Sequence, residues 1–194
     1  MDDLVVGSDG LARCRWAGAA PEYLAYHDEE WGRPVRDDNA LYERLTLEAF
    51  QSGLSWLTIL RKRPAFRAAF HDFVIDEVAA FGEQDVARLL LDPGIVRNRA
   101  KIEAAVQNAR AATDLPEGLA ALLWSYAPLP RERRPESFAE VPATTPESMA
   151  LARELKRRGF RFVGPTTAYA LMQATGMVDD HLAGCYIAGD RGGA

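Results

Sequence analysis

An all-α fold is predicted for this 194-residue chain, and three observations predict it. Apolar residues recur at helical spacing, hydroxyl or proline starts and glycine stops bracket those stretches, and no stretch shows the period-2 alternation of a convincing strand. With 48 % apolar and 26 % charged residues the chain has the material for a core and an ordinary polar surface. The length suits one globular domain, or two small helical lobes sharing a core.

Taken in order, residues 1–10 read as a loose tail. A helix beginning near Asn39 carries Leu41 and Leu45 on one stripe, and Glu83 through Leu91 reads as a short helix ending near Pro93-Gly94. Ile102, Val106 and Ala109 recur at i, i+4 and i+7. Residues 128–142 form a proline- and charge-rich connector, expected as a surface loop between two helical groups. Thr145-Pro146-Glu147 is a helix start: a hydroxyl cap, a proline whose missing amide costs nothing there, and an acid at the positive end of the dipole. Leu151 and Leu155 continue that helix, Gly159 stops it, and a second helix starts at Pro165. Arg191-Gly192-Gly193-Ala194 reads as a frayed end, which leaves residues 11–190 as a single domain of two helical lobes. There is no internal repeat and no low-complexity tract.

No apolar run approaches the roughly eighteen residues needed to cross a bilayer. The start, Met1-Asp2-Asp3-Leu4-Val5-Val6, is acidic and lacks the basic, then long apolar, pattern of a signal peptide. A cytoplasmic location follows as the expectation, and in a reducing compartment Cys14 and Cys185 are not expected to pair. The formal charge of −5 argues at first against nucleic acid, but the basic residues are clustered. Arg61-Lys62-Arg63 with Arg67 is one group, Arg97, Arg99 and Lys101 a second, and Arg153, Lys156, Arg157, Arg158 and Arg161 a third; much of the acid lies at 28–48, 72–92 and 132–147. Any one of these clusters alone reads as a solvated helix face.

The three histidines are His27, His71 and His181. His181 and Cys185 form an H-x3-C pair, close enough for both side chains to reach one ion from a single turn, and Cys14 with His27 forms a second pair. Together they make a Cys2His2 set, closed and therefore structural if it holds a metal. From spacing alone, buried thiols and satisfied core histidines account for these residues better, because C-x12-H is not a standard finger spacing. His71 follows Phe70 in a helix-like segment, has no cysteine partner and is taken as structural. His27-Asp28-Glu29 supplies the H-x-E of a zinc deaminase, but P-C-x-x-C is absent. With no H-E-x-x-H and no open three-ligand site either, a catalytic zinc is not expected.

Residues 155–168 read as a helix, a turn flanked by Gly159 and Gly164, and a second helix from Pro165. Such a turn presents backbone amides, backed by a helix dipole, to a phosphate, while Phe160, Phe162 and Val163 are expected to pin the two helices together. A generic helical hairpin with a basic outer face is the plainer reading; five basic residues within nine positions favour the functional one. On the helix near Asn39, Glu48 falls at i+7 from Leu41, at the edge of the apolar stripe. A carboxylate there is costly unless neutralised or hydrogen-bonded; a Glu that reaches solvent or pairs with an arginine is an equal reading. Gln51-Ser52-Gly53-Leu54-Ser55-Trp56 follows. Upstream, Trp16, Tyr23, Tyr26 and Trp31 put four of the ten Trp and Tyr residues into sixteen positions. Trp16 and Trp31 can be core alone, yet rings around a buried acid also make a stacking box for a flat cationic base.

Together these residues resemble the 3-methyladenine DNA glycosylase I (Tag) family of the helix-hairpin-helix glycosylase superfamily, over about Arg13 to Cys185. The motifs are Arg13-Cys14-x-Trp16, Tyr26-His27-Asp28-x-Glu30-Trp31-Gly32, Leu47-Glu48-x-x-Gln51-x-Gly53-Leu54-Ser55-Trp56, Arg158-Gly159-Phe160-x-Phe162-Val163-Gly164 and Asp180-His181-x-x-x-Cys185. The resemblance implies a helix-hairpin-helix DNA glycosylase fold with structural zinc on Cys14, His27, His181 and Cys185, joining the two ends of the chain. It implies base binding by Glu48, Trp56, Tyr23, Tyr26 and Gln51. Leu54 becomes a wedge for the gap left by a flipped nucleotide, and Gly53, Phe162, Val163, Gly164 and Thr166 contact DNA. The implied activity is hydrolysis of the N-glycosidic bond of 3-methyladenine, with 3-methylguanine as a second substrate. The enzyme is expected to act as a monomer on double-stranded DNA containing alkylated bases, with free 3-methyladenine as product. Pro165-Thr166-Thr167 offers no lysine nucleophile, so no strand cleavage is expected.

Two departures from the family pattern matter. Asp179-Asp180-His181 stands where the family commonly has Asn-Asp-His. Other superfamily members use a catalytic aspartate near this place, so Asp179 is a catalytic candidate beside Glu48; Asp180 is its alternative by alignment, and a surface acid the plainer reading. Phe50 stands where a polar residue is usual, and is expected to trim the pocket.

Overall fold

Short polar side chains placed just before apolar stripes begin four of the helices among the described residues. The computed structural model describes residues 3–187. In chain order they form a two-stranded hairpin, β1 (Leu4–Val6) and β2 (Ala12–Cys14), and helices α1 (Pro21–Glu29), α2 (Asp38–Gln51), α3 (Trp56–Ala69), α4 (Ile75–Ala79), α5 (Glu83–Leu91), α6 (Arg99–Thr113), α7 (Leu119–Trp124), α8 (Pro146–Arg157) and α9 (Pro165–Ala174). Asp37 accepts from the Ala40 amide at 2.9 Å to open α2, and Ser55 and Asn98 do the same for α3 and α6. Each cap satisfies one of the four amides that a helix start leaves without a partner. Thr145 opens α8 as anticipated, in a reciprocal pair with Ser148 at 2.9 and 3.2 Å.

α2 is the central helix and packs against α3, α6, α7 and α9. Its Leu41, Leu45 and Phe50 are wholly buried, as are Phe66, Phe70 and Phe73 beyond it. Phe50 packs on Phe66 with ring centroids 4.8 Å apart, so it belongs to the core and does not trim the pocket. His71 corrects a second expectation. His71, Asp72 and Phe73 have φ of 51°, 52° and 57°, a left-handed turn rather than helix. The turn brings Phe73 face to face with Phe70, interplanar angle 2°, and leaves the His71 ring outside, against Glu77 at 2.8 Å.

The expected loose tail is also corrected. Leu4–Val6 pairs antiparallel with Ala12–Cys14, Leu4 opposite Cys14, so this stretch is tied to a metal-ligand candidate; three-residue strands are too short to show alternation in a sequence. Residues 191–194, expected to fray, lie outside the described residues. Among the described residues no helix is long and apolar enough to cross a membrane. The connector at 128–142 carries only a short 3-10 turn at Phe138–Glu140.

The basic clusters are largely engaged within the protein. Arg61 pairs with Glu22, Arg63 with Glu30 and Arg67 with Glu43, while Arg99 meets Glu83 and Glu103. Arg157 and Arg158 share Glu154.

Candidate active site

The proline at its first position starts α1, and helical spacing then sets Tyr23, Tyr26 and His27 on adjoining faces. Tyr23 and Tyr26 turn toward a cavity of about 410 Å³ between α1, α2, α3 and α9. Trp16, Trp31 and Trp56 complete its aromatic wall, and Glu48, Gln51, Gln173 and Asp180 supply polar groups. Tyr26 and Trp56 lie 5.5 Å apart between ring centroids, and Trp16 meets Tyr23 edge-on at 5.8 Å. The Tyr23 hydroxyl accepts from the Leu57 amide at 3.0 Å, which fixes the first turn of α3 and with it Trp56. The Trp56 indole N–H is buried and unpartnered.

Glu48 is 7 % exposed, and among the described residues it makes no hydrogen bond and no ion pair. Burial pushes its carboxyl up to about 8, with Arg44 pulling the other way. A neutral or barely ionised acid in an aromatic box lacks the one thing that would stabilise its charge, a cation.

Beside the cavity, Gln51-Ser52-Gly53-Leu54 closes α2 in a type II turn, the Leu54 amide donating to the Gln51 carbonyl at 2.7 Å. Gly53 takes the third position with φ +81°, which a side chain would strain. The Gln51 side chain donates to the Leu54 carbonyl at 2.9 Å. Lys101 reaches from α6 to the Phe50 and Ser52 carbonyls at 2.9 and 2.6 Å. The turn so braced holds Leu54 out at the rim, 38 % exposed.

The hairpin forms as the glycines predicted. Gly159 has φ +91°; its amide donates to Lys156 and that of Phe160 to Leu155, two bonds that close α8. Phe160 is buried, but Phe162 is 47 % exposed with φ +57°. Phe162 therefore does not pin the helices; it projects from the turn, just before Gly164 and the exposed first turn of α9 with Thr166. Buried Asn108 of α6 holds the turn from below, accepting from the Arg161 amide at 2.7 Å and donating to its carbonyl at 3.0 Å.

Cys14, His27, His181 and Cys185 come together from both ends of the chain, all buried, their ligand atoms within 4.8 Å of one another. The Cys185 sulfur lies 3.4 Å from His27 Nε2 and 3.7 Å from His181 Nδ1. The other nitrogen of each ring is occupied. His27 Nδ1 donates to Asp28 at 2.7 Å, and His181 Nε2 to the Trp31 carbonyl at 3.2 Å. Arg13 in turn grips Asp28 at 2.8 Å. This outer shell fixes both tautomers with a lone pair toward the sulfurs, as metal-binding histidines require. Both cysteines are free thiols, so the donor set can hold a metal ion.

Of the residues singled out in the sequence, Tyr23, Tyr26, Glu48, Gln51 and Trp56 face one cavity. Asp179 does not. It pairs with Arg134 at 2.8 Å and lines a separate cleft. The carboxylate at the cavity is Asp180, which accepts from Tyr169 at 2.6 Å, Gln173 at 2.9 Å and Arg131 at 2.6 Å. Gln173 had no signal in the sequence; Trp16 and Trp31 had one, their crowding around His27.

A helical body with a projecting hairpin, and an aromatic cavity of about 410 Å³ with the exposed Leu54 at its rim, fits a protein that takes single bases out of nucleic acid. Comparison with known proteins makes this specific. The family model described as methyladenine glycosylase matches residues 16–188. DNA-3-methyladenine glycosylase 1 of Escherichia coli (strain K12) is 45 % identical over 179 residues, covering 90 % of this chain and 96 % of that protein. A crystal structure of 3-methyladenine DNA glycosylase I (TAG) superposes with a TM-score of 0.86 at 46 % identity, covering 90 % of this chain and 98 % of that one. A tyrosine-to-phenylalanine variant of TAG, solved in complex with 3-methyladenine, superposes with a TM-score of 0.85 at 36 % identity, covering 90 % and 96 %. The chain belongs to the methyladenine glycosylase family.

Proposed function

We infer that this protein is a base-excision repair glycosylase that hydrolyses the N-glycosidic bond of 3-methyladenine in alkylated DNA. The observation that carries the reading is Glu48: an unpartnered, buried carboxyl facing a ring-lined cavity of about 410 Å³, large enough to admit a purine. While attached to its sugar, 3-methyladenine is a cation, so its glycosidic bond is already weak and the base needs no protonation to leave. The electron pair of the broken bond neutralises the base. Water then bonds to the sugar carbon and gives up a proton.

The protein supplies extrusion and selection. Flipping the nucleotide costs a few kcal/mol, offset by Leu54 filling the gap and by the Phe162–Thr166 segment gripping the backbone through turn amides and the α9 dipole. In the cavity Trp56 and Tyr26 stack on the ring, Tyr23 and Gln51 line it, and Glu48 pairs with its charge. Normal adenine, electron-rich and neutral, gains less from both contacts. Pro165-Thr166-Thr167 places no amine at the start of α9, so hydrolysis leaves an abasic site in an unbroken strand. The Cys14, His27, His181 and Cys185 set fits zinc, which closes both ends of the chain as a four-ligand structural site; the chemistry takes place elsewhere. A duplex oligonucleotide carrying one 3-methyladenine tests the reading: the strand stays whole on a gel until alkali cleaves it at the lesion. A nick without alkali, or no alkali-labile site, contradicts it.

A further inference from the structure

Glu48 is not alone on its side of α2. Arg44 stands one helical turn before it, a spacing at which side chains meet and opposite charges normally pair. They do not pair here. The Arg44 Nη2 atom is bound 2.5 Å from Glu30, just beyond the end of α1, while its Nη1 is buried with no partner. Arg63 of α3 grips both oxygens of the same Glu30 at 2.7 Å. One carboxylate thus holds two guanidiniums, and the Arg44 group sits 6.0 Å from the Tyr26 ring, behind the wall of the cavity. A cation whose charge acts on Glu48 is present one helical turn away and is held by Glu30.

We propose that Glu30 is a specificity-determining positioning residue: it keeps the Arg44 guanidinium from Glu48, so that the cavity's carboxyl takes its countercharge from the bound base. Glu30 touches no base and lies outside the cavity lining. Its effect is exerted through Arg44. Losing the Glu30 charge frees a buried guanidinium one turn from Glu48, and the ion pair then formed removes the preference for a cationic ligand. Tyr26, Tyr23, Trp56 and Asp180 line the same cavity as Glu48; Asp180 is already held by three donors. The proposal rests on the reading of Glu48 as the base's partner.

The test uses two ligands of one shape: 3,9-dimethyladeninium, a fixed cation, and its neutral 3-deaza isostere. Their affinities for the whole protein are read by quenching of the cavity tryptophans, and folding is checked by thermal melting. Glu30→Gln is expected to lower the cation-to-neutral affinity ratio by about tenfold, and the double variant Glu30→Gln/Arg44→Met to restore it. A purely structural Glu30 predicts the opposite ordering, since the double variant loses further contacts. An unchanged ratio in folded Glu30→Gln, or no recovery in the folded double variant, overturns the proposal. If Glu30→Gln does not fold, Arg44→Met alone decides: a ratio at or above that of the unmodified protein supports the proposal and a lower one overturns it. Glu48→Gln separates the two levels. If it leaves the ratio unchanged, the base-binding reading falls and this proposal with it; if it collapses the ratio while Glu30→Gln does not, only the proposal falls.

Discussion

Replacing Glu48 by glutamine should stabilise the protein, and by an amount that depends on pH. Burial raises the folded-state value from 4.5 to about 8. Each pKa unit corresponds to about 1.4 kcal/mol, so ionising Glu48 in the folded protein costs about 5 kcal/mol more than in the unfolded chain. Below pH 4.5 the group is protonated in both states and the penalty is absent. Between 4.5 and about 8 the unfolded chain ionises while the folded protein does not, so stability falls as pH rises, by about 1.4 kcal/mol per unit. Above 8 the penalty is complete and constant. Glu48→Gln keeps the shape and has no such slope. Urea unfolding of both proteins between pH 4.5 and 9 should therefore show a widening gap: the variant ahead by about 3 kcal/mol at pH 7 and about 5 above pH 8, relative to their difference at pH 4.5. Parallel stability curves across that range would refute the reasoning, because they would mean that Glu48 is solvated or paired in solution.

Other consequences are more local. Leu54→Ala should lower kcat/KM on lesion-bearing duplex by about five- to thirtyfold, on the order of 1–2 kcal/mol of lost apolar contact, while leaving the affinity for free 3-methyladenine unchanged in the quenching assay. Asn108→Leu strands both the amide and the carbonyl of Arg161 under the hairpin, at about 1–3 kcal/mol for each group left unpaired. Its melting temperature should fall and its KM for duplex rise, with free-base binding retained. Emission spectroscopy should find about one zinc per chain, and His181→Ala should lose both the metal and the cooperative melt; metal-free protein of unchanged stability would remove the staple.

The sequence exposed what is locally encoded. Thr145, Pro146, Gly159 and Pro165 delimit α8 and α9 because caps, proline and glycine act within a turn of their own position. Glu48 could be picked out because a charge on an apolar stripe is anomalous wherever the helix packs. Spacing alone did not settle the Cys2His2 set: its halves lie near opposite ends of the chain and only the fold brings them within 4.8 Å. The same holds for Asn108, whose partner Arg161 is 53 positions away, and for Lys101, which braces the Gln51–Leu54 turn from α6. Phe162 was expected to pin the helices because an aromatic between two glycines looks like packing material; its left-handed backbone turns it outward instead, which leaves its expected contact with DNA open to test. Asp179 and Asp180 are indistinguishable as neighbours in sequence, and the chain's direction after α9 sends one to Arg134 and the other to the cavity.

Chromatography of the bases released from methylated DNA tests the central claim most directly. The unmodified protein should release 3-methyladenine and leave normal adenine in place, and Glu48→Gln should release it much more slowly despite being the more stable protein. Release of undamaged adenine at a comparable rate, or equal release by the two proteins, would contradict selection of a cationic base by a carboxyl that has no other partner.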